Sequence, residues 1–154
     1  MPTAHSAGLL LYRRTHRGVE VLLAHPGGPY WTRKDDGAWT IPKGLIEADE
    51  TPLVAACREF CEETGQPAAG PYLELGDVTL KSRKRITAYA AEGSFDPDAL
   101  QSISFEIEWP PRSGRRQSYP EVDRVAWFDP DTARNKLNPA QAPLIDRLLA
   151  ALAD

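Results

Sequence analysis

The sequence predicts an α/β or α+β sandwich, and three observations carry that expectation. Apolar, β-prone segments lie on both sides of one well-capped helix, an amphipathic stretch closes the chain, and Pro- and Gly-bearing loops separate the elements. The first two strands are read at Ala7 to Arg13 and Val19 to Ala24, joined by the polar turn Arg14 to Gly18. From His25 to Gly37 the chain is too rich in Gly and Pro for regular structure, and a loop of that length in a compact domain is usually functional. Trp39, Thr40 and Ile41 read as a short strand stopped by Pro42, with Lys43 to Glu50 as a second loop. Thr51 to Thr64 reads as a helix: Thr51 is an N-cap, Pro52 takes the first helical position, and Gly65 follows the end. Strands recur at Tyr72 to Leu80, Ile86 to Ala91, Ser102 to Trp109 and Val122 to Phe128. Asp131 to Lys136 is expected as a short helix and Ala140 to Leu152 as a longer amphipathic one.

With 154 residues the chain has the usual size of one domain, so residues 1–154 are expected to form a single module. An apolar fraction of 42% with 26% charged residues implies a packed core and argues against disorder or a coiled coil. The apolar run at Leu9 to Tyr12 is far shorter than the roughly 18 to 20 residues a membrane span needs, and Met1 to Ser6 has no basic n-region. The cytoplasm is the expected location. A net charge of −4, from 18 Lys and Arg against 22 Asp and Glu, argues against broad binding to duplex nucleic acid. A polyanionic ligand would have to be met locally or through a metal ion. Cys57 and Cys61, four apart on the helix, are expected as buried free thiols rather than a disulfide or a metal pair.

Projected at 100° per residue, Glu59, Glu62 and Glu63 share an arc of about 100°. Leu53, Val54, Cys57, Phe60 and Cys61 fall on the opposite side, which is expected to be the buried one. Carboxylates three and four apart repel by roughly 0.2–0.5 kcal/mol per pair, which a solvated helix face tolerates. A hard divalent cation turns the same repulsion into coordination, because Mg²⁺ seeks oxygen ligands.

The wider frame favours coordination. Gly44, five residues, Glu50, seven residues, then Arg58-Glu59-Phe60-Cys61-Glu62-Glu63-Thr64-Gly65 resembles the Nudix box at each fixed position. From average residue usage such a register arises by chance roughly once in a million. One departure is Gln66, where the family closes the box with an apolar residue; it weakens a packing contact and touches no ligand. The resemblance implies a Nudix α/β/α sandwich with a mixed central sheet. It also implies that Glu59, Glu62 and Glu63 bind metal, joined by the backbone carbonyl of Lys43. Arg58 would orient the acids, Glu50 would anchor Arg58, and Gly44 would serve the loop turn. The implied ion is Mg²⁺, with Mn²⁺ as a substitute.

Many Nudix enzymes draw another carboxylate from a loop before a late strand ending in tryptophan. Pro120 to Trp127 supplies that context, making Glu121 the fourth ligand or general base, ahead of Asp123, Glu106 and Glu108. Between Glu59 and Glu121 as general base the sequence does not choose. Lys43, in Trp39-Thr40-Ile41-Pro42-Lys43-Gly44, resembles the variant found in Nudix hydrolases of dinucleoside polyphosphates and diphosphoinositol phosphates. Its ammonium suits a polyphosphate. Lys81, Arg83, Lys84 and Arg85 form one basic turn and Arg112, Arg115 and Arg116 another; either a solvated turn or a phosphate clamp fits them. Tyr30, Trp31 and Tyr119 are loop aromatics able to stack on a base, while Trp39 and Trp127 read as core. Phe105 to Arg116, with Gly27 to Trp31, resembles a bacterial Nudix subgroup of predicted nucleotide pyrophosphohydrolases.

The resemblance therefore implies a hydrolase that cleaves a phosphoanhydride of a nucleoside diphosphate derivative by attack of water on phosphorus. Its partner is a small nucleotide or polyphosphate, namely a nucleoside triphosphate or a dinucleoside polyphosphate; a homodimer stays open. Two alternatives stand beside it: removal of pyrophosphate from RNA 5′ ends, and a non-catalytic nucleotide sensor on the same fold.

Overall fold

The apolar run Ala7 to Tyr12 forms the middle of β1 (His5–Thr15) and is buried throughout, as a central strand with helices on both faces must be. In the computed structural model, which describes residues 4–153, β1 pairs antiparallel with β2 (Gly18–Pro26) and parallel with β5 (Arg85–Glu92). Strand β4 (Tyr72–Thr79) lies outside β5, and β8 (Val122–Phe128) lies outside β2. Strand β3 (Lys43–Leu45) adds to one end of β1, completing a six-stranded mixed sheet.

Side-chain alternation along these strands divides the core in two. Leu10, Tyr12, Val21 and Leu23 face α2 (Pro130–Lys136) and α3 (Pro143–Leu152), meeting Ala133, Leu144, Ile145 and Leu148. Ala7, Leu9, Leu11, Leu22 and Ala24 face α1 (Pro52–Thr64), meeting Ala55, Ala56 and Phe60. The result is the expected helix–sheet–helix sandwich. Helix α1 has the predicted caps: the Thr51 hydroxyl accepts from Val54 N, and Gly65, at φ 92°, donates its N–H to the Cys61 carbonyl. Among the described residues no helix is long and apolar enough to cross a membrane.

Several local expectations are corrected. Trp39 to Ile41 makes isolated bridges to Ala24 and Leu137 instead of a strand, while the expected loop at Lys43 supplies β3. The apolar side of α1 differs from the projected one. Ala55, Ala56, Phe60, Glu63 and Thr64 are buried, Val54 is 55% exposed, and Leu53 is half-buried. Small alanines let the helix approach β1 closely, so the buried stripe follows the contact rather than side-chain size. Cys61 is accordingly exposed and Cys57 half-buried, both as free thiols. The chain after Trp109 also forms a strand that the sequence did not suggest. Polar β7 (Arg116–Pro120) pairs with β6 (Ser104–Glu108) in a hairpin outside the main sheet, and this places Tyr119 on a strand against Phe105. Both faces of β7 are largely solvated, so it lacks the apolar alternation that marks a strand.

Candidate active site

The acids are assembled by two close approaches that only glycine permits. A Cβ on Gly8 of β1 would lie 2.6 Å from Ile41 Cδ1 and 2.9 Å from the Pro42 carbonyl. With Leu9 N–H donating to that carbonyl at 3.0 Å, the segment leading into β3 is laid against β1. A Cβ on Gly44 would fall 2.1 Å from the Glu59 carboxyl carbon. The absence of a side chain there is what lets the carboxylate rest on the β3 backbone.

Arg58 ties the acids together from behind. Its Nε and Nη2 donate to the two oxygens of Glu50 at 2.6 and 2.9 Å, and Nη1 donates to Glu59 Oε2 at 2.6 Å and Glu62 Oε2 at 3.1 Å. Nη2 also reaches the Leu45 carbonyl at 3.0 Å. This bidentate grip holds the Glu50 carboxyl below its ordinary range, helped by a Glu47 backbone N–H, and raises Arg58 above its already high value. Glu63, 9% exposed, is pushed up to about 9, first by burial and then by its hydrogen bond with the Glu59 side chain, while Lys43 pulls the other way.

Glu121 enters from the turn between β7 and β8. Its N–H donates to the Ile103 carbonyl at 2.8 Å and its own carbonyl accepts from Gly27 N–H at 2.9 Å. Burial, then the charge on Glu59, raises its pKa, and Lys43 opposes the rise.

One cavity of about 700 Å³ is lined by Glu59, Glu62, Glu63 and Glu121 together with Lys43, Lys84 and Trp31. Glu50 and Arg58 stand behind the acids rather than lining it. Three other substrate-binding candidates also lie off its wall. Arg85 pairs with Asp77 at 3.4 Å, Arg116 pairs with Glu106 at 3.7 Å across the hairpin, and Tyr30 packs edge-on against Trp109. Of the weaker acid candidates, Glu108 accepts from the Arg112 N–H, and Asp123 bonds His25. The sequence did not single out Ile103, Ser82 or Ser6, which also line the cavity. Ile103 is 48% exposed and bridges the acids through its backbone, donating to the Glu62 carbonyl and accepting from Glu121 N–H. The sequence places Ile103 on the expected strand Ser102 to Trp109, where its alternation with Phe105 and Ile107 reads as packing; its position just before β6 (Ser104–Glu108) turns it to the cavity instead.

Among the described residues no group of three His, Cys, Asp or Glu side chains converges as a bound metal would require. Arg58 engages Glu59 and Glu62 instead. The donors nonetheless fit a hard divalent cation: they are carboxylate oxygens plus a carbonyl, Glu59 sits in the glycine cradle, and a cation would compete with the proton that burial favours on Glu63.

Comparison with known proteins follows the same line. The family model described as NUDIX domain matches residues 2–148. An 8-oxo-(d)GTP phosphatase of Mycolicibacterium smegmatis is 32% identical over 88% of this chain, which spans only 38% of that protein's length. An RNA pyrophosphohydrolase of Rhodospirillum rubrum is 30% identical over 96% of this chain and 91% of its own. A crystal structure of a C. elegans Ap4A hydrolase binary complex superposes with a TM-score of 0.66 at 19% identity, covering 96% of this chain and 98% of that one.

Proposed function

The chain belongs to the Nudix family, and we propose that it is a divalent-metal-dependent pyrophosphohydrolase acting in the cytoplasm as one domain over residues 1–154. Its substrate is a nucleoside triphosphate or a dinucleoside polyphosphate, cleaved by water at phosphorus. The observation that supports this most is the shared cavity in which four acids face two lysines and one tryptophan. Acids alone would repel a polyphosphate. A Mg²⁺ ion, or Mn²⁺ in its place, held by Glu59, Glu62, Glu63, Glu121 and the Lys43 carbonyl, would neutralise phosphoryl oxygens and make a water easier to ionise.

The chain's own residues supply the rest. Lys43 and Lys84 offer ammonium groups to the phosphate chain, and Trp31 offers a face to the base. Arg58 fixes Glu59 and Glu62 so that little reorganisation is needed when charge develops on the phosphoryl oxygens. Glu59 is committed to Arg58 and to Glu63, whereas among the described residues no ion pair engages Glu121. Glu121 is therefore the better base for the attacking water where it is not itself taken up as the fourth ligand of the ion.

The test is a panel of nucleoside triphosphates, dinucleoside polyphosphates and triphosphorylated RNA, incubated with Mg²⁺ in ¹⁸O-water. Turnover of a small nucleotide, with label in one product and loss of turnover in Glu59→Gln, is expected. Turnover of RNA alone would move the assignment to 5′-end processing. Nucleotide binding with no turnover under Mg²⁺ or Mn²⁺ would leave a sensor.

A further inference from the structure

His25, at the end of β2, is fully buried, and both of its ring nitrogens meet acceptors. Nε2 lies 2.6 Å from the Lys34 carbonyl and Nδ1 lies 2.8 Å from Asp123 Oδ1. A carbonyl can only accept, so Nε2 donates to Lys34, while Nδ1 is held at the Asp123 carboxyl. Asp123 reaches the ring because the β2–β8 register slips: His25 is opposite Arg124 but Pro26 is opposite Val122. Asp123 is thus the extra residue of a bulge, a device that re-aims a side chain.

What this pair holds is the loop between Pro26 and Ala38. Lys34 N–H donates to the Trp31 carbonyl at 2.9 Å, so the carbonyl that His25 grips belongs to the turn that carries Trp31. The Lys34 ammonium also lies 5.0 Å from the Trp31 ring centre. At the near end, a Cβ on Gly27 would lie 1.9 Å from the Pro120 carbonyl, so the loop leaves β2 in contact with the Glu121 turn. At the far end, Trp39 Nε1 donates to Asp35 Oδ1 at 2.8 Å. Trp31 is the only aromatic of this loop on the cavity wall among the described residues.

We propose that Asp123, acting through His25, is a positioning residue that sets Trp31 as the wall for a nucleobase, and thereby governs nucleotide affinity more than the rate of water attack. This rests on the reading of the cavity as a nucleotide site. Asp123 is 32% exposed while His25 is closed off, so Asp123 is the member to vary: water can replace its side chain without opening the core.

The experiment compares Asp123→Ala, Asp123→Asn, Trp31→Ala and the double variant Asp123→Ala/Trp31→Ala. It measures kcat, KM and the rate of trypsin cleavage after Arg33 and Lys34. Asp123→Ala is expected to raise KM about tenfold, the low end of what one base–aromatic stack contributes, with kcat changed less than about twofold. Asp123→Asn keeps a hydrogen-bonding partner for Nδ1 and holds KM to within about threefold of wild type. In the Trp31→Ala background Asp123→Ala changes KM by less than about twofold, because the two act on one contact. Loop cleavage accelerates in Asp123→Ala and not in Asp123→Asn. An unchanged KM, an equal defect in Asp123→Asn, multiplying effects in the double variant, or unchanged loop cleavage would each overturn the proposal. Cleavage needs no substrate, so a wild-type protein that binds no nucleotide refutes the cavity reading separately from the latch.

Discussion

Helix α3 meets the sheet through Leu144, Ile145 and Leu148, all fully buried, and a buried polar side chain near them, Gln141, is satisfied by Ile41 N and Thr40. Helix α1 meets the opposite face through Ala55, Ala56 and Phe60, and the same stripe then continues into Glu63. Burying leucine removes apolar surface from water and stabilises by roughly 1.5–3 kcal/mol per side chain. Burying a carboxyl costs free energy unless it is paired or protonated. The α3 face thus contributes stability, whereas the α1 face gives some up to hold acids beside a cavity. Helix α1 stays in place through its caps, its small alanine contacts and the Arg58 network.

That contrast is broken most sharply at Glu63. Glu63→Gln should lower turnover on the order of 10³-fold, or about 4 kcal/mol of transition-state stabilisation, by removing a metal ligand. It should also make the metal-free protein more stable at alkaline pH. With its pKa pushed up to about 9, Glu63 binds its proton more tightly in the folded state than in the unfolded one. Its contribution is fully present below the unfolded value of 4.5 and is lost as pH rises through about 9. Metal-free wild type should therefore lose stability between those limits, by at most about 1.4 kcal/mol per pH unit from this one group, and Gln should remove that slope. Thermal melts from pH 5 to 9 with a chelator present check it; parallel slopes in both proteins would refute the assignment of strain to the α1 face.

Leu148→Ala tests the other face. It should cost about 2–5 kcal/mol in denaturant unfolding, while kcat/KM of the folded protein stays unchanged, because the cavity it leaves lies across the sheet from the acids. A loss of turnover larger than the unfolded fraction explains would mean that the two faces are coupled.

The two faces were unequally legible in the sequence. Helix α1 was readable to its caps, because Thr51, Pro52 and Gly65 act locally and need no tertiary partner. The grouping of Glu59, Glu62 and Glu63 followed from helical geometry, and their meeting with Lys43 and Glu121 from the family pattern. Which side of α1 is buried was misread, since the choice depends on how near β1 lies, and alanines carry little weight in a hydrophobic projection. Strand β7 was missed because its pairing to β6 leaves both faces wet. The latch between His25 and Asp123 rests on a one-residue slip in register, and no local pattern announces such a slip.

The smallest effect concerns the basic turns, which looked alike in sequence and do not share a wall. Lys84 lines the cavity, whereas Arg116 is 66% exposed and paired with Glu106 on the outlying hairpin. Lys84→Met should raise KM for a nucleoside triphosphate about threefold, since an exposed ammonium gains less than about 1 kcal/mol from a screened ionic contact. Arg116→Met should change it by less than about twofold, because the guanidinium is engaged elsewhere and its field is screened beyond roughly 8–10 Å. The same pair assayed on triphosphorylated RNA sharpens the point. If Arg116→Met weakened RNA while sparing the free nucleotide, the hairpin would be meeting a chain longer than one nucleotide, and the wet strand β7 would belong to the substrate site.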